Sequence, residues 1–222
     1  MVMEIVYSKE HWELLREKRQ RAIEILTKLK EIGIEGYVYG SVARGDVKKD
    51  SDIDIILFNP DLLKLELFPF HHRLIVQATP TSTPKAYISL DQEEKEVISF
   101  PLAKLKRKEI EFYYFGGLIS LDELIENKRV PGVNKDLEII IPTENGHLQI
   151  PLHGNEDYAV KLLKISHDTI LERERLLEKR EERGHTGVFV KYELDNDESF
   201  EYAIRNLSKN NKFFRRVINA ER

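Results

Sequence analysis

The chain has 222 residues, 41% hydrophobic and 33% charged, with a formal net charge of −4 and no cysteine. That length holds one large domain or a domain with a small appendage, and the charge balance argues against non-specific nucleic-acid binding over the whole surface. Disulfides and thiolate metal sites are excluded, no apolar run reaches the length of a membrane span, and Met1 to Tyr7 lacks the apolar core of a signal peptide. A cytoplasmic protein without a membrane partner is therefore expected. The weight of Lys, Arg and Glu, with two Met, is thermophile-like.

Glu10 to Glu31 is expected as a helix, since Leu14, Leu15, Ala22, Ile25, Leu26 and Leu29 fall near 3.6-residue spacing and Gly33 supplies a stop. Tyr37 to Tyr39 is a short strand, Ser41 begins a brief helix, and Ile53 to Phe58 is a second strand ended by Asn59-Pro60. Leu74 to Gln77 is a strand. Tyr87 to Leu90 and Val97 to Phe100 flank a polar turn and form a hairpin. Ile110 to Phe115 is expected as a strand closed by Gly116-Gly117, and Ser120 with Glu123 forms a capping box for a short helix. Leu137 to Ile141 and His147 to Leu152 make another hairpin. After His153-Gly154 the texture turns helical, with one later strand at Val188 to Tyr192. The reading is an α+β protein with a mixed sheet of five to seven strands. It divides into an N-terminal helix over 1–34, a sheet domain over 35–152 and a helical domain over 153–222.

The stretch YVYGSVARGDVKKDSDIDIILF, residues 37–58, carries the chemistry. The two-residue period of a strand puts Asp52 and Asp54 on one face, with Ile53 and Ile55 on the other. Carboxylates about 7 Å apart repel each other unless a cation relieves them, and Mg²⁺ prefers such hard oxygen ligands. Gly40-Ser41, between a strand end and a helix start, offers backbone amides to a phosphate.

Gly40-Ser41, ten intervening residues and then Asp52-Ile53-Asp54 resemble the signature of the DNA polymerase β-like nucleotidyltransferases. The longer run GSVARGDVKKDSDIDIILF looks like that of the small prokaryotic members. The resemblance implies a small mixed sheet with flanking helices and an NTP–Mg²⁺ (or Mn²⁺) site at its edge, ATP among the nucleotides. It implies that Asp52 and Asp54 hold the metal, that Gly40 and Ser41 grip the β- and γ-phosphates, and that Arg44 is a phosphate partner. A third carboxylate on a later strand is also implied, either Glu111 or Glu96, with Glu111 favoured from its setting in EIEFYYFGG. In the loop RVPGVNKDL, Lys135 or Arg129 would meet triphosphate or acceptor, beside Asn134, or the loop is a Pro-Gly turn with solvated charges. His71, His72, His147 and His153 lack a metal-ligand spacing and are assigned no role.

Residues 155–194 resemble a helix-turn-helix, with Ser166 capping the second helix, a wing strand within Gly184 to Tyr192, and His167, Asp168, Thr169, Glu172 and Arg175 facing outward. Two acids there oppose DNA binding. Arg205 to Arg222 holds six basic residues against one acid. Two functions follow. One is transfer of a nucleoside monophosphate from an NTP to a nucleic-acid, protein or small-molecule hydroxyl. The other is a nucleotide-binding regulator fused to a DNA-binding segment, with little turnover. Either is compatible with a homodimer.

Overall fold

The computed structural model describes residues 1–184 and 187–220, the side chain of Arg183 aside. Part of the expected wing (His185, Thr186) and of the basic end (Glu221, Arg222) lies outside the described residues. In chain order the elements are β1 (Met3–Val6), α1 (Lys9–Glu31), β2 (Tyr37–Tyr39), α2 (Ser41–Arg44), β3 (Ile53–Ile56), α3 (Leu62–Leu65) and β4 (His72–Gln77). Then come β5 (Lys85–Ser89), β6 (Glu96–Pro101), α4 (Arg107–Gly116), β7 (Leu118–Ser120), α5 (Leu121–Ile125), β8 (Gly132–Val133) and β9 (Glu138–Thr143). The chain continues with β10 (Gly146–Pro151), α6 (Glu156–Leu163), α7 (His167–Arg183), β11 (Val190–Glu193), α8 (Phe200–Asn210) and α9 (Lys212–Asn219). The class is α+β as expected, with a mixed sheet flanked by helices.

The chain gathers into two compact units, each assembled from separated segments. One contains Met1–Lys28, Tyr37–Ile53 and Arg107–Thr186; the other contains Leu29–Gly36, Asp54–Lys106 and Gly187–Arg222. The consecutive segments 1–34, 35–152 and 153–222 expected from the sequence do not coincide with these units.

In the first unit a four-stranded antiparallel sheet runs β1-β10-β9-β8, with Met3 opposite Gln149, Leu148 opposite Ile141 and Gly132 opposite Ile140. Ile139 and Val133 of this sheet bury in one cluster with Ala159 and Leu163 of α6, Ile170 of α7, Phe115 of α4, and Leu152 and Ile165 from the connections before α6 and α7. Strand β2 pairs antiparallel with β7, setting Val38 opposite Ile119, both fully buried. Ser120 and Glu123 form the capping box expected at α5.

Residues Ile110 to Phe115 are not a strand. They lie in α4, which begins three residues earlier, and Arg107 and Glu111 face each other one turn apart at 3.6 Å. The consecutive aromatics Phe112 to Phe115 have strand propensity, but they form a helix in which Tyr113 and Phe115, about 200° apart around the axis, are both buried, so α4 is packed on more than one side. The α6–α7 pair has the expected turn: Lys164 takes a left-handed conformation at φ 56° and Ser166 Oγ accepts from the Thr169 amide at 3.3 Å. Thr169 itself is buried, not outward-facing, and its hydroxyl lies 2.9 Å from Ser166 Oγ.

In the second unit an antiparallel ladder runs β11-β4-β5-β6, with Tyr192 opposite Ile75, Leu74 opposite Tyr87 and Tyr87 opposite Ser99. The Leu57 amide donates to Ser99 O at 2.9 Å and Ser99 Oγ donates to Ile55 O at 3.3 Å, so the run through β3 lies beside β6. Strand β11 is therefore an edge strand on β4, not a wing following α7. Its half-buried Val190 and Tyr192 alternate with exposed Lys191 and Glu193, as an edge strand requires. Arg73, buried in β4, holds the following segment: its Nη2 donates to Asp195 O at 2.8 Å and to Glu198 O at 2.6 Å. Phe200 of α8 packs edge-on against Phe100, centroids 5.2 Å apart.

Candidate functional site

Where β2 ends, Gly40 takes φ 90° and ψ −149°, a region that only glycine occupies without strain. The space a Cβ would fill is open, with nothing within 4 Å. Gly40 N–H donates to Gly117 O at 3.1 Å, and Gly45 N–H donates to Ser41 O at 2.7 Å, closing the single turn of α2. The amides of Ser41 and Val42 stand in that first turn, where a helix has no internal acceptor for them.

The rear of the turn is clamped. Arg19 reaches from α1 and donates from Nε to Val42 O at 3.0 Å, from Nη2 to Ala43 O at 3.0 Å and from Nη1 to Lys128 O at 2.5 Å. Burial, with Arg129 as a second cationic neighbour, lowers its pKa to about 10, so it stays charged at neutral pH. Arg44 forks onto Asp46 at 2.9 and 3.1 Å and donates to Gly116 O at 2.7 Å. It is 5% exposed, so the guanidinium expected to meet phosphate is spent on holding the loop. Arg129 donates to Gly146 O at 2.8 Å and to Thr143 O, and its guanidinium lies over Trp12 at 5.1 Å. The neighbouring Val130 amide donates to Ala43 O at 3.1 Å. Burial raises the Tyr7 hydroxyl well above its usual range, and Asp46 adds to the rise.

The approach to the acidic pair is also fixed. Lys48 N–H donates to Ser51 Oγ at 2.8 Å, and Lys18 Nζ donates to Ser51 O at 2.7 Å. Beyond that turn burial alternates: Asp52 half-buried, Ile53 5% exposed, Asp54 half-buried, Ile55 1% exposed. The isoleucines take the core face and the carboxylates the other, as the strand period requires. Burial raises the Tyr87 hydroxyl and the Asp54 carboxylate adds to the rise, so Tyr87 keeps its proton beside Asp54. Two hard carboxylate donors on one strand face suit Mg²⁺ or Mn²⁺.

Residues 19–116 match the family model described as a nucleotidyltransferase domain. Over that span the chain is similar to nucleotidyltransferase domains. No curated protein matches the chain. The matched span opens on Arg19 and closes on Gly116, two of the residues that hold the Gly40–Asp46 turn.

Other residues expected at the nucleotidyltransferase site lie elsewhere. Glu111 sits on helix α4, and its carboxylate accepts from Ser166 N at 2.6 Å and Ser166 Oγ at 3.0 Å. It therefore holds the start of α7. Glu96 opens β6, the strand beside β3, and by parity shares the face of the buried Ile98 and Phe100. Val97 and Ser99 share the face of Tyr87. Lys135 is exposed in the β8–β9 turn, where Asn134 Oδ1 accepts from the Asp136 and Glu138 amides at 3.0 Å each.

Arg19 was not singled out by sequence reasoning. The signal was present: Leu15, Arg19, Ala22 and Leu26 form one helical stripe, and all four are buried.

Proposed function

We propose that the chain transfers a nucleoside monophosphate from an NTP, ATP among them, to a hydroxyl acceptor and releases pyrophosphate. The observation that supports this most is the alternation at β3, which buries Ile53 and Ile55 and leaves Asp52 and Asp54 on the opposite face. Those carboxylates would hold two Mg²⁺ ions, with Mn²⁺ as a substitute. Bound there, the metal would neutralise triphosphate charge and favour ionisation of the acceptor hydroxyl.

The chain's own residues do the positioning. Amides at Ser41 and Val42 and the Ser41 hydroxyl donate to the β- and γ-phosphate oxygens, and the open space at Gly40 admits them. Arg19 and the Arg44–Asp46 fork keep that turn rigid, so little reorganisation accompanies binding. Tyr87 stays neutral beside Asp54 at physiological pH. The acceptor oxygen forms its bond to the α-phosphorus in line while the bond to the bridging oxygen breaks. The acceptor is a nucleic-acid end, a protein hydroxyl or a small molecule.

One observation favours a second reading, nucleotide binding with little turnover. Glu111 is engaged with Ser166, and Val97 and Ser99 occupy the β6 face that Tyr87 shares. Neither position there supplies a third carboxylate. The test is pyrophosphate release from each NTP with Mg²⁺ across a panel of hydroxyl acceptors, alongside NTP binding. Transfer requires release by the wild type and none by Asp52→Asn/Asp54→Asn. Tight NTP binding without release for any acceptor would favour the second reading, and release undiminished in the double variant would refute the site.

A further inference from the structure

We propose that His153, Glu156 and Glu174 form a second metal site, separate from the acidic pair, which takes a divalent transition-metal ion of the zinc class. The site would tie the turn after β10 to the long helix α7.

The three residues come from three places in the first unit. His153 follows β10 in the turn, Glu156 is the first residue of α6, and Glu174 lies two turns into α7. One ligand atom from each lies within 4.8 Å of the others. His153 Nδ1 is 3.3 Å from Glu174 Oε1 and 3.8 Å from Glu156 Oε1. A tetrahedral zinc ion with bonds of about 2.0–2.2 Å sets its ligand atoms roughly 3.3–3.6 Å apart, so only small shifts are needed. The His153 side chain is 89% exposed, which leaves an entry path and a fourth position for water.

Glu174 supplies the independent observation. It is 6% exposed, which is rare for glutamate, and its Oε2 is buried with no hydrogen-bond partner. The other oxygen faces His153 within the cluster. The Glu156 carboxyl is its other neighbour in the cluster. Glu156 is oriented by the Gly154 amide, which donates to its Oε1 at 3.1 Å. Two carboxylates and an imidazole converge there, one of the carboxylates buried, and a dication suits that donor set. The imidazole selects the ion, since Mg²⁺ and Ca²⁺ take oxygen shells while nitrogen with carboxylate suits zinc-class metals.

The full-length Asp52→Asn/Asp54→Asn chain, stripped with EDTA and dialysed, removes the acidic pair as a competing ligand. Zn²⁺ is then added, and bound zinc and the thermal unfolding midpoint are measured. Co²⁺ absorption in the visible range serves as the spectroscopic probe. One equivalent of zinc per chain and a higher midpoint are expected, with a cobalt spectrum of four-coordinate type. His153→Ala, at an exposed position that folding tolerates, should weaken zinc binding at least about tenfold. Glu174→Gln should lose the zinc-dependent rise, yet in EDTA unfold at or above its parent because the buried orphan charge is gone. The proposal is overturned if zinc gives no rise, or if His153→Ala and Glu174→Gln keep it. A midpoint that responds to acidification in EDTA and not to zinc would mean that the two carboxylates share a proton instead.

Discussion

Gly40 takes a backbone conformation that costs other residues about 1–3 kcal/mol, and the space before it is open. Gly40→Ala should lower stability by that amount in urea unfolding, and should weaken NTP binding further because the added methyl fills the space. Arg19 satisfies three backbone carbonyls, and two of them, on Val42 and Ala43, end the turn that Gly40 begins. Arg19→Ala leaves all three without their charged donor, and a loss of about 3 kcal/mol is expected. Arg19→Lys should recover only part of it, because an ammonium cannot reproduce the planar fork. Full recovery in Arg19→Lys would show that charge, not geometry, holds the turn. At this scale the sequence was informative about types and less so about partners. The shared face of Asp52 and Asp54 follows from the two-residue strand period, and the turn at Gly40-Ser41 from the strand end before it. The bond of Arg44 to Gly116 and that of Glu111 to Ser166 depend on three-dimensional neighbours that no local pattern encodes.

Among the elements, α4 carries the clearest divergence from sequence expectation. Its run Ile110 to Phe115 is rich in β-formers, yet it is helical in the fold, and Glu111 thereby reaches the cap of α7. Glu111→Gln should lower stability by about 1 kcal/mol through the weakened contact to Ser166. A variant with a wild-type unfolding midpoint but no turnover would restore a catalytic role for Glu111. Strands β1 and β8 escaped the sequence reading because one is four mostly exposed residues and the other only two. The longer α1, the β5–β6 hairpin and the α5 capping box were legible, since each carries its own periodic or capping signal.

Strand β11 makes a pH prediction. The Tyr192 hydroxyl donates to Glu198 at 2.7 Å, and that bond, with burial adding to it, raises its pKa from 10.0 to about 12. Because the folded value lies above the unfolded one, the stabilisation is complete below pH 10 and is lost as pH rises through about 12. Tyr192→Phe should therefore be less stable than wild type at pH 9, and the gap should shrink by pH 12. A gap that is constant over that interval would contradict the linkage.

At the scale of the whole molecule, each compact unit draws on three separated stretches of chain. A consecutive domain division could not anticipate this, because β11 pairs with β4 more than a hundred residues upstream while α6 and α7 pack on the β8–β9 side of the first unit. Among the described residues no helix is long and apolar enough to cross a membrane. The buried Glu174 with His153 and Glu156 marks the limit of a linear reading, since its members are spread over 22 positions, 153 to 174, with only the His-x-x-Glu pair adjacent.

The central claim is that Asp52 and Asp54 hold a divalent ion together with the nucleotide. The most direct measurement is Mn²⁺ binding in the presence of NTP, followed by electron paramagnetic resonance, in a His153→Ala background that silences the second site. Nucleotide-dependent Mn²⁺ binding is expected with the acidic pair intact and should disappear in Asp52→Asn/Asp54→Asn. Equal Mn²⁺ binding with and without the pair would contradict it.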